Sequence, residues 1–250
     1  MTPELPGSRP GTRLQTVIAR SGLASRRAAE ELITAGRVSL NGTVVTELGA
    51  RAMPGDIVAV DGKSIQAETQ LHYLALNKPP GFLCAMSDEY GRPLASSLFK
   101  PEIAERVYNI GRLDLDSCGL ILFTNDGSFA AKVGHPSSGL AKDYDVVTDR
   151  RIPNDFGPRF QKGLEDEGEV LRARSVTITG ERTCRVRLVE GKNREIRRAL
   201  ALFGLKAEVL RRDTIGPVSL GQLVEGRWRR LSDVELAALE SSFGSSQRNR

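Results

Sequence analysis

Apolar residues recur at helical spacing at Leu14, Val17 and Ile18, and again at Ala28, Ala29, Leu32 and Ile33 behind Ser25, a residue suited to capping a helix N-terminus. Two short helices are expected at the start of the chain. Gly36 ends the second, and Val38-Ser39-Leu40 and Thr43-Val44-Val45 then flank Asn41-Gly42, a dipeptide that readily takes the left-handed conformations of a two-residue hairpin. Ile57, Val58 and Val60, between Pro54-Gly55 and Asp61-Gly62, predict a further strand. The polar run from Ser64 to Gln70 marks a linker, placed at 63–71.

From His72 the pattern changes. Strands are expected over Tyr73–Leu76, Val107–Ile110, Leu120–Thr124, Tyr144–Val147, Val170–Ile178, Arg185–Val189 and Ala207–Arg211. Helices are expected over Ser128–Val133, Asn154–Lys162, Arg194–Phe203 with Gly204 as its cap, and Asp233–Glu240, where Ser232 and Glu235 have the spacing of a capping box. Helices are too few for repeated βαβ winding, so the fold class is α+β with a mainly antiparallel or mixed sheet. The layout is a flexible tail at 1–12, a small domain at 13–62, a larger domain at 72–240 and a polar, disordered end at 241–250.

The longest apolar stretches, such as Gly119–Phe123, fall far short of the roughly 20 residues that span a bilayer, and the first twelve residues lack the apolar core of a secretory signal. A cytoplasmic protein with no membrane partner is expected. Three widely spaced cysteines and two histidines make neither a disulfide scaffold nor a zinc site. Formal net charge is only +5, but Arg182 to Arg212 holds ten Lys/Arg against three Glu, +7 in that segment alone. Such clustering points to a polyanionic partner.

The first block, from Arg13-Leu14-Gln15 through Ser25-Arg26-Arg27 to Gly36-Arg37-Val38 and Asn41-Gly42, resembles the S4 RNA-binding domain. The resemblance implies RNA phosphate contacts from Arg13, Ser25, Arg26, Arg27 and Arg37, with Thr16 standing where relatives usually have Lys. Arg26 and Arg27 would also lie in the first turn of a helix, where free backbone N–H groups favour anions.

In the larger domain, Asn77-Lys78-Pro79-Pro80-Gly81, Gly111-Arg112-Leu113-Asp114 through Leu120, and Glu190-Gly191-Lys192-Asn193-Arg194-Glu195-Ile196-Arg197-Arg198 together resemble the RsuA-like RNA pseudouridine synthases. The wording Asp-Ser-Cys-Gly-Leu-Ile-Leu-Phe-Thr is closer to the large-subunit (RluB-like) members than to the small-subunit enzyme. Isomerising uridine moves a glycosidic bond from N1 to C5 with no redox change, so the resemblance implies no cofactor and no metal. It assigns Asp114 as nucleophile at the ribose or as base at C2′. A carboxylate in a closed pocket takes up a proton unless a cation stands beside it, and motif position gives that cation as Arg197. Tyr144 matches the tyrosine that stacks on the uracil, Ile196 the apolar residue packed against it, and Arg112 a phosphate or gap-filling contact once the nucleotide is extruded. Lys78 and Asn193 are further candidate substrate contacts, although the lysine before Pro79-Pro80-Gly81 is more readily a solvated strand end. Arg194 and Arg198, read as sharing a helix face at i, i+4, are assigned to the RNA backbone, and Cys118 to packing. The implied partner is ribosomal RNA or a subunit assembly intermediate, met by a monomer. A methyltransferase is disfavoured by the absence of a Gly-rich loop after a strand. A non-catalytic ribosome-binding protein would require loss of Asp114, Tyr144 or Arg197, and all three are present.

Overall fold

The computed structural model describes residues 11–66, 68 and 70–245, and the chain divides into two compact units between Leu71 and His72. The first unit contains β1 (Thr12–Arg13), α1 (Leu14–Arg20), α2 (Arg26–Thr34), β2 (Val38–Leu40), β3 (Thr43–Val44), β4 (Arg51–Ala52), β5 (Val58–Val60) and β6 (Lys63–Ser64). Ser25 Oγ accepts the Ala28 N–H at 3.1 Å and so fixes the start of α2. Asn41 and Gly42, at φ 51 and 83, turn β2 into β3 with Leu40 opposite Thr43. Leu14, Ile18, Ala29, Ile33, Val38 and Val58 close the core between the helices and the sheet β3-β2-β5-β6. Lys63 and Ser64, expected in the linker, instead pair with Val60 and Ala59 at the sheet edge. Residues 1–10 of the expected N-terminal tail lie outside the described residues, whereas Thr12 is paired with Ala52.

The second unit follows with β7 (Tyr73–Lys78), β8 (Tyr108–Ile110), β9 (Cys118–Thr124), α3 (Gly127–Gly134), β10 (Lys142–Thr148), α4 (Phe156–Lys162), β11 (Leu164–Asp166), β12 (Glu169–Leu171), β13 (Ser175–Gly180), β14 (Thr183–Leu188), α5 (Glu195–Ala201), β15 (Ala207–Ile215), β16 (Val218–Ser219), β17 (Trp228–Arg230) and α6 (Asp233–Ser245). The main sheet runs β13-β14-β10-β15-β9-β7-β17, with β8 on β9 and β16 on β15. Its pairs are antiparallel except β15 with β9, so the sheet is mixed. Every residue of β9 is buried because both sheet faces are covered. Leu74, Leu76, Ile121 and Phe123 pack with Phe156 and Phe160 of α4 and Ile196 and Leu200 of α5. Ala75, Leu120 and Leu122 face the other way, onto Phe129 and Val133 of α3 and Leu239 of α6.

Two expectations need correction. The strand expected over Val170–Ile178 is broken, because Ala173 turns its N–H to Phe160 O at 3.1 Å and is buried in the core, while Arg174 bonds Arg187 O at 2.8 Å. The last helix passes Glu240 and continues to Ser245, which removes part of the expected disordered end; residues 246–250 lie outside the described residues. It begins as the capping box requires, with Ser232 N–H donating to Glu235 at 2.9 Å and Glu235 N–H to Ser232 Oγ at 3.2 Å.

The parallel contact of β9 with β15 places Gly119 opposite Arg212. A Cβ at Gly119 would stand 2.3 Å from Arg212 O and 2.7 Å from Arg212 N, and Gly119 also has φ +99. Only glycine meets both demands. Gly119→Ala should therefore destabilise the protein by roughly 3 kcal/mol or more, the sum of overpacking and backbone strain. Urea denaturation of both proteins checks this, and a loss below about 1 kcal/mol would contradict the contact.

Candidate active site

Two of the three motif segments of the larger unit, those around Asp114 and Ile196, meet at a cavity of about 400 Å³, a volume suited to one nucleotide, while the Asn77–Gly81 segment lies outside its lining. Asp114 and Arg112 reach it from the loop before β9, Tyr144 and Lys142 from β10, Ile196 and Arg194 from the start of α5, and Arg212 from β15. Tyr144 and Ile196 are buried, and both line the cavity while belonging to the core cluster. Arg112 is exposed at the cavity, and its side chain makes no hydrogen bond or ion pair among the described residues.

The Asp114 loop is held from behind. Ser117 N–H donates to Asp114 O at 3.2 Å, Gly81 N–H to Leu115 O at 2.7 Å, and Arg197 Nη2 to both Asp116 O and Ser117 Oγ at 3.2 Å. Arg197 Nε lies 3.8 Å from Asp114 Oδ2, and Arg194 Nη1 lies closer, at 3.4 Å. Two guanidinium groups therefore share the Asp114 carboxylate, and both also contact Asp116.

This corrects the reading of Arg194 and Arg198 as neighbours on one helix face. Arg194 takes a left-handed conformation, φ 47, as the residue that caps α5, so although Arg198 N–H bonds Arg194 O at 2.9 Å, the two side chains part, one to Asp114 and the other to Asp166. Arg198 lies outside the cavity lining and is bound instead to Asp166 and Glu169, at 2.5 and 2.6 Å. Its guanidinium is committed to holding the β11–β12 hairpin. Asn193 is exposed and also outside the lining, its carbonyl accepting from Arg198.

Lys78 is not the solvated strand end that its position suggested. It is fully buried, and Nζ donates to the carbonyls of Phe82 at 2.9 Å, Pro79 at 3.0 Å and Leu115 at 3.5 Å. Burial pushes its pKa down, opposed by nearby Cys84, Cys118, Asp116 and Asp114. The lysine braces the Asp114 loop without lining the cavity. Cys118 is buried with Sγ 3.8 Å from Leu210 O, and burial pushes its thiol up, as befits a packing residue.

The basic segment is less free than its composition implied. Seven of its ten cations, Arg182, Arg185, Arg187, Arg194, Arg197, Arg198 and Arg211, sit against carboxylates. In the first unit Arg13, Arg26 and Arg27 are exposed, Ser25 spends its oxygen on the α2 cap, and Arg37 is bound by Asp61 with Nε to Oδ1 at 2.8 Å.

Sequence reasoning missed Lys142 and Arg212 as cavity residues. The antiparallel register sets Arg212 beside Tyr144, with the guanidinium carbon 6.0 Å from the ring centroid. A strand expected to end at Arg211 concealed this.

Comparison with known proteins agrees with the geometry. Residues 72–202 match the RNA pseudouridylate synthase family and residues 12–58 the S4 domain. An uncharacterised RNA pseudouridine synthase of Mycobacterium tuberculosis is 42% identical, over 94% of this chain and 95% of its own. Ribosomal large subunit pseudouridine synthase B of Bacillus subtilis is 36% identical, over 92% of this chain and 96% of its own. A solved pseudouridylate synthase structure superposes with a TM-score of 0.67 at 27% identity, covering 92% of this chain and all of that one.

The strand that carries Tyr144 is fastened at its neighbour Asp143, whose carboxylate accepts from Arg187 Nε at 2.7 Å and Thr214 Oγ1 at 3.0 Å. Arg187, then Thr214, hold the Asp143 pKa below the usual carboxylate range against the opposing effect of burial. A depressed folded-state pKa stabilises the fold above the ordinary carboxylate value, and that stabilisation is lost as pH falls through the folded value. Asp143→Asn should cost about 1–2 kcal/mol at neutral pH, with the deficit shrinking below about pH 4 as the wild-type carboxyl protonates. Urea titrations at neutral and acid pH measure both; an undiminished deficit in acid would exclude this origin.

Proposed function

Because the chain belongs to the RNA pseudouridylate synthase family, we propose that it converts a uridine of large-subunit (23S) ribosomal RNA to pseudouridine, with Asp114 as the group that acts on the ribose. The assignment of Asp114 rests on one observation: Asp114, Tyr144 and Ile196, from segments far apart in the chain, line the same cavity. The large-subunit target is supported by the Bacillus subtilis relative. The partner is ribosomal RNA or a subunit assembly intermediate, met by a monomer in the cytoplasm. Among the described residues no helix is long and apolar enough to cross a membrane.

The target nucleotide must leave its stack, at a cost of a few kcal/mol, before its glycosidic bond is within reach. Inside the cavity the uracil ring lies against Tyr144 and Ile196, and Asp114 faces the sugar. Asp114 then either bonds to C1′ or removes the C2′ proton as the N1–C1′ bond breaks; Arg194 and Arg197, 3.4 and 3.8 Å from its carboxylate, hold it in place for either route. Lys78 and Arg197 keep the loop from drifting, because small displacements of a reacting group are costly in rate. The S4 unit adds phosphate contacts, which give affinity rather than chemistry.

Mapping pseudouridines in ribosomal RNA from cells with and without the protein tests the target directly. Loss of a large-subunit site is expected; loss of a small-subunit site instead would reassign the substrate, and no loss would refute the ribosomal reading. Asp114→Asn should abolish isomerisation with RNA affinity nearly unchanged, and residual turnover within about tenfold of wild type, a barrier change near 1.4 kcal/mol, would remove Asp114 from its role.

Arg197→Ala and Arg194→Ala should both slow single turnover at saturating RNA, by about tenfold to a hundredfold. Recovery of the wild-type rate at saturation by either variant would mark that arginine as a phosphate contact alone. Replacing Arg26 and Arg27 together by Ala should leave that saturated rate unchanged and reduce the slope of log affinity against log salt by roughly 1.5, from two lost phosphate contacts. An unchanged slope would exclude both arginines from the RNA interface.

A further inference from the structure

We propose that Arg212, with Lys142 beside it, forms the cationic wall that holds the detached uracil as an anion, a role that rests on the synthase chemistry set out above. When the N1–C1′ bond breaks, its electron pair leaves with the base. The uracil becomes an anion with charge shared among N1, O2 and O4, while C1′ is taken up by the Asp114 carboxylate or the sugar yields its C2′ proton to Asp114. The base turns, C5 bonds to C1′ as the Asp114–C1′ bond breaks or as Asp114 returns its proton to C2′, the C5 proton departs and N1 gains a proton, so the sum is an isomerisation. An unsolvated anion inside a small cavity is costly unless fixed donors meet it. Asp114 has the wrong sign to help, and Tyr144 and Ile196 carry no charge.

Arg212 has the right sign and the right place. It is 3% exposed and lines the cavity. Nε donates to Leu120 O at 2.7 Å, which anchors the side chain; Nη1 has only long contacts, 3.4 Å to Arg112 O and 3.5 Å to Tyr144 Oη; and buried Nη2 has no partner. Seven arginines of the surrounding segment sit against carboxylates, whereas Arg212, the most buried of them, meets none among the described residues. A buried guanidinium nitrogen without a protein partner is unfavourable, and an incoming anion would relieve it. Lys142 lines the same cavity, and its ammonium makes no hydrogen bond or ion pair among the described residues. Burial and then the nearby Arg212 push the Lys142 pKa down, with Glu195 opposing them. Two neighbouring cations at one wall repel each other, and an anion between them removes the repulsion.

The test compares large-subunit ribosomal RNA transcribed with uridine and with 5-fluorouridine. Fluorine withdraws electron density from the ring, so the departing base needs less stabilisation. C5 of the fluorinated base cannot lose a proton, so the readout for both RNAs is disappearance of the N-glycoside by chromatography of digested nucleosides. Arg212→Met should slow single turnover on uridine by about a hundredfold, but on 5-fluorouridine only within about tenfold. Lys142→Met should show the same asymmetry, and Arg212→Lys should recover part of the uridine rate. Equal slowing on both RNAs by the folded variants means that the residues act only through structure, and overturns the proposal.

A second measurement needs no RNA. At neutral pH 5-nitrouracil is an anion and uracil is not, so wild-type protein should bind 5-nitrouracil at least about tenfold more tightly, and Lys142→Met and Arg212→Met should lose that preference. No preference in the wild type overturns the proposal. If wild-type protein consumes no uridine in the naked ribosomal transcript, free ribosomal RNA is excluded as the substrate in favour of an assembly intermediate, and the 5-nitrouracil preference still decides the role of Arg212 and Lys142.

Discussion

Two strands pair in parallel over two residues, Cys118 and Gly119 of β9 against Arg211 and Arg212 of β15, and the arrangement of the catalytic unit depends on the contact of Gly119 with Arg212. The strand β9 follows directly from the Asp114 loop, and β15 lies beside β10, which carries Tyr144. Bringing the two backbones within a distance that no side chain tolerates therefore sets the carboxylate, the tyrosine and the buried arginine around one cavity. Everything behind the loop maintains this approach. Arg197 meets the carbonyl of Asp116 and Lys78 adds a second donor to the Leu115 carbonyl that Gly81 N–H already meets, while the sheet's two cores fix β9 from both faces.

Much of the fold could be read from apolar spacing. The run Cys118–Thr124, the Asn41-Gly42 hairpin, and the capping pairs at Ser25 and Ser232 form as local chemistry dictates, because each is settled within a few residues. The S4 and synthase motifs also identified the family. What escaped is non-local. β17, with Trp228 flanked by two arginines, exists because β7 has an edge to pair with, and nothing in those three residues announces it. The break between β12 and β13 arises because Ala173 is drawn to Phe160.

The site shows the same division. Asp114, Tyr144, Arg112 and Ile196 line the cavity that their motifs suggested, but the cations around them were misjudged. Arg212 follows Arg211 in a charged run that resembles a solvated strand end; in the sheet, alternation turns Arg211 toward Asp213 and Arg212 inward beside Tyr144. Lys78 resembles a surface lysine until tertiary carbonyls surround it. A single left-handed residue, Arg194, shifts a helix start and moves a guanidinium onto the key carboxylate. Periodicity contains no signal for any of these, because each depends on partners distant in sequence.

The ion pairs along the sheet also determine how the molecule is sensed from afar. Arg182, Arg185, Arg187 and Arg211 face Glu208, Asp145, Asp143 and Asp213, four positive groups against four negative ones. Such an array has no monopole, and its field decays within a few ångströms, well inside the roughly 8 Å over which physiological salt already screens exposed charge. A polyanion passing this face meets an electrically silent surface. Long-range attraction is left to cations without such neutralising neighbours, so these four arginines add little to diffusional capture.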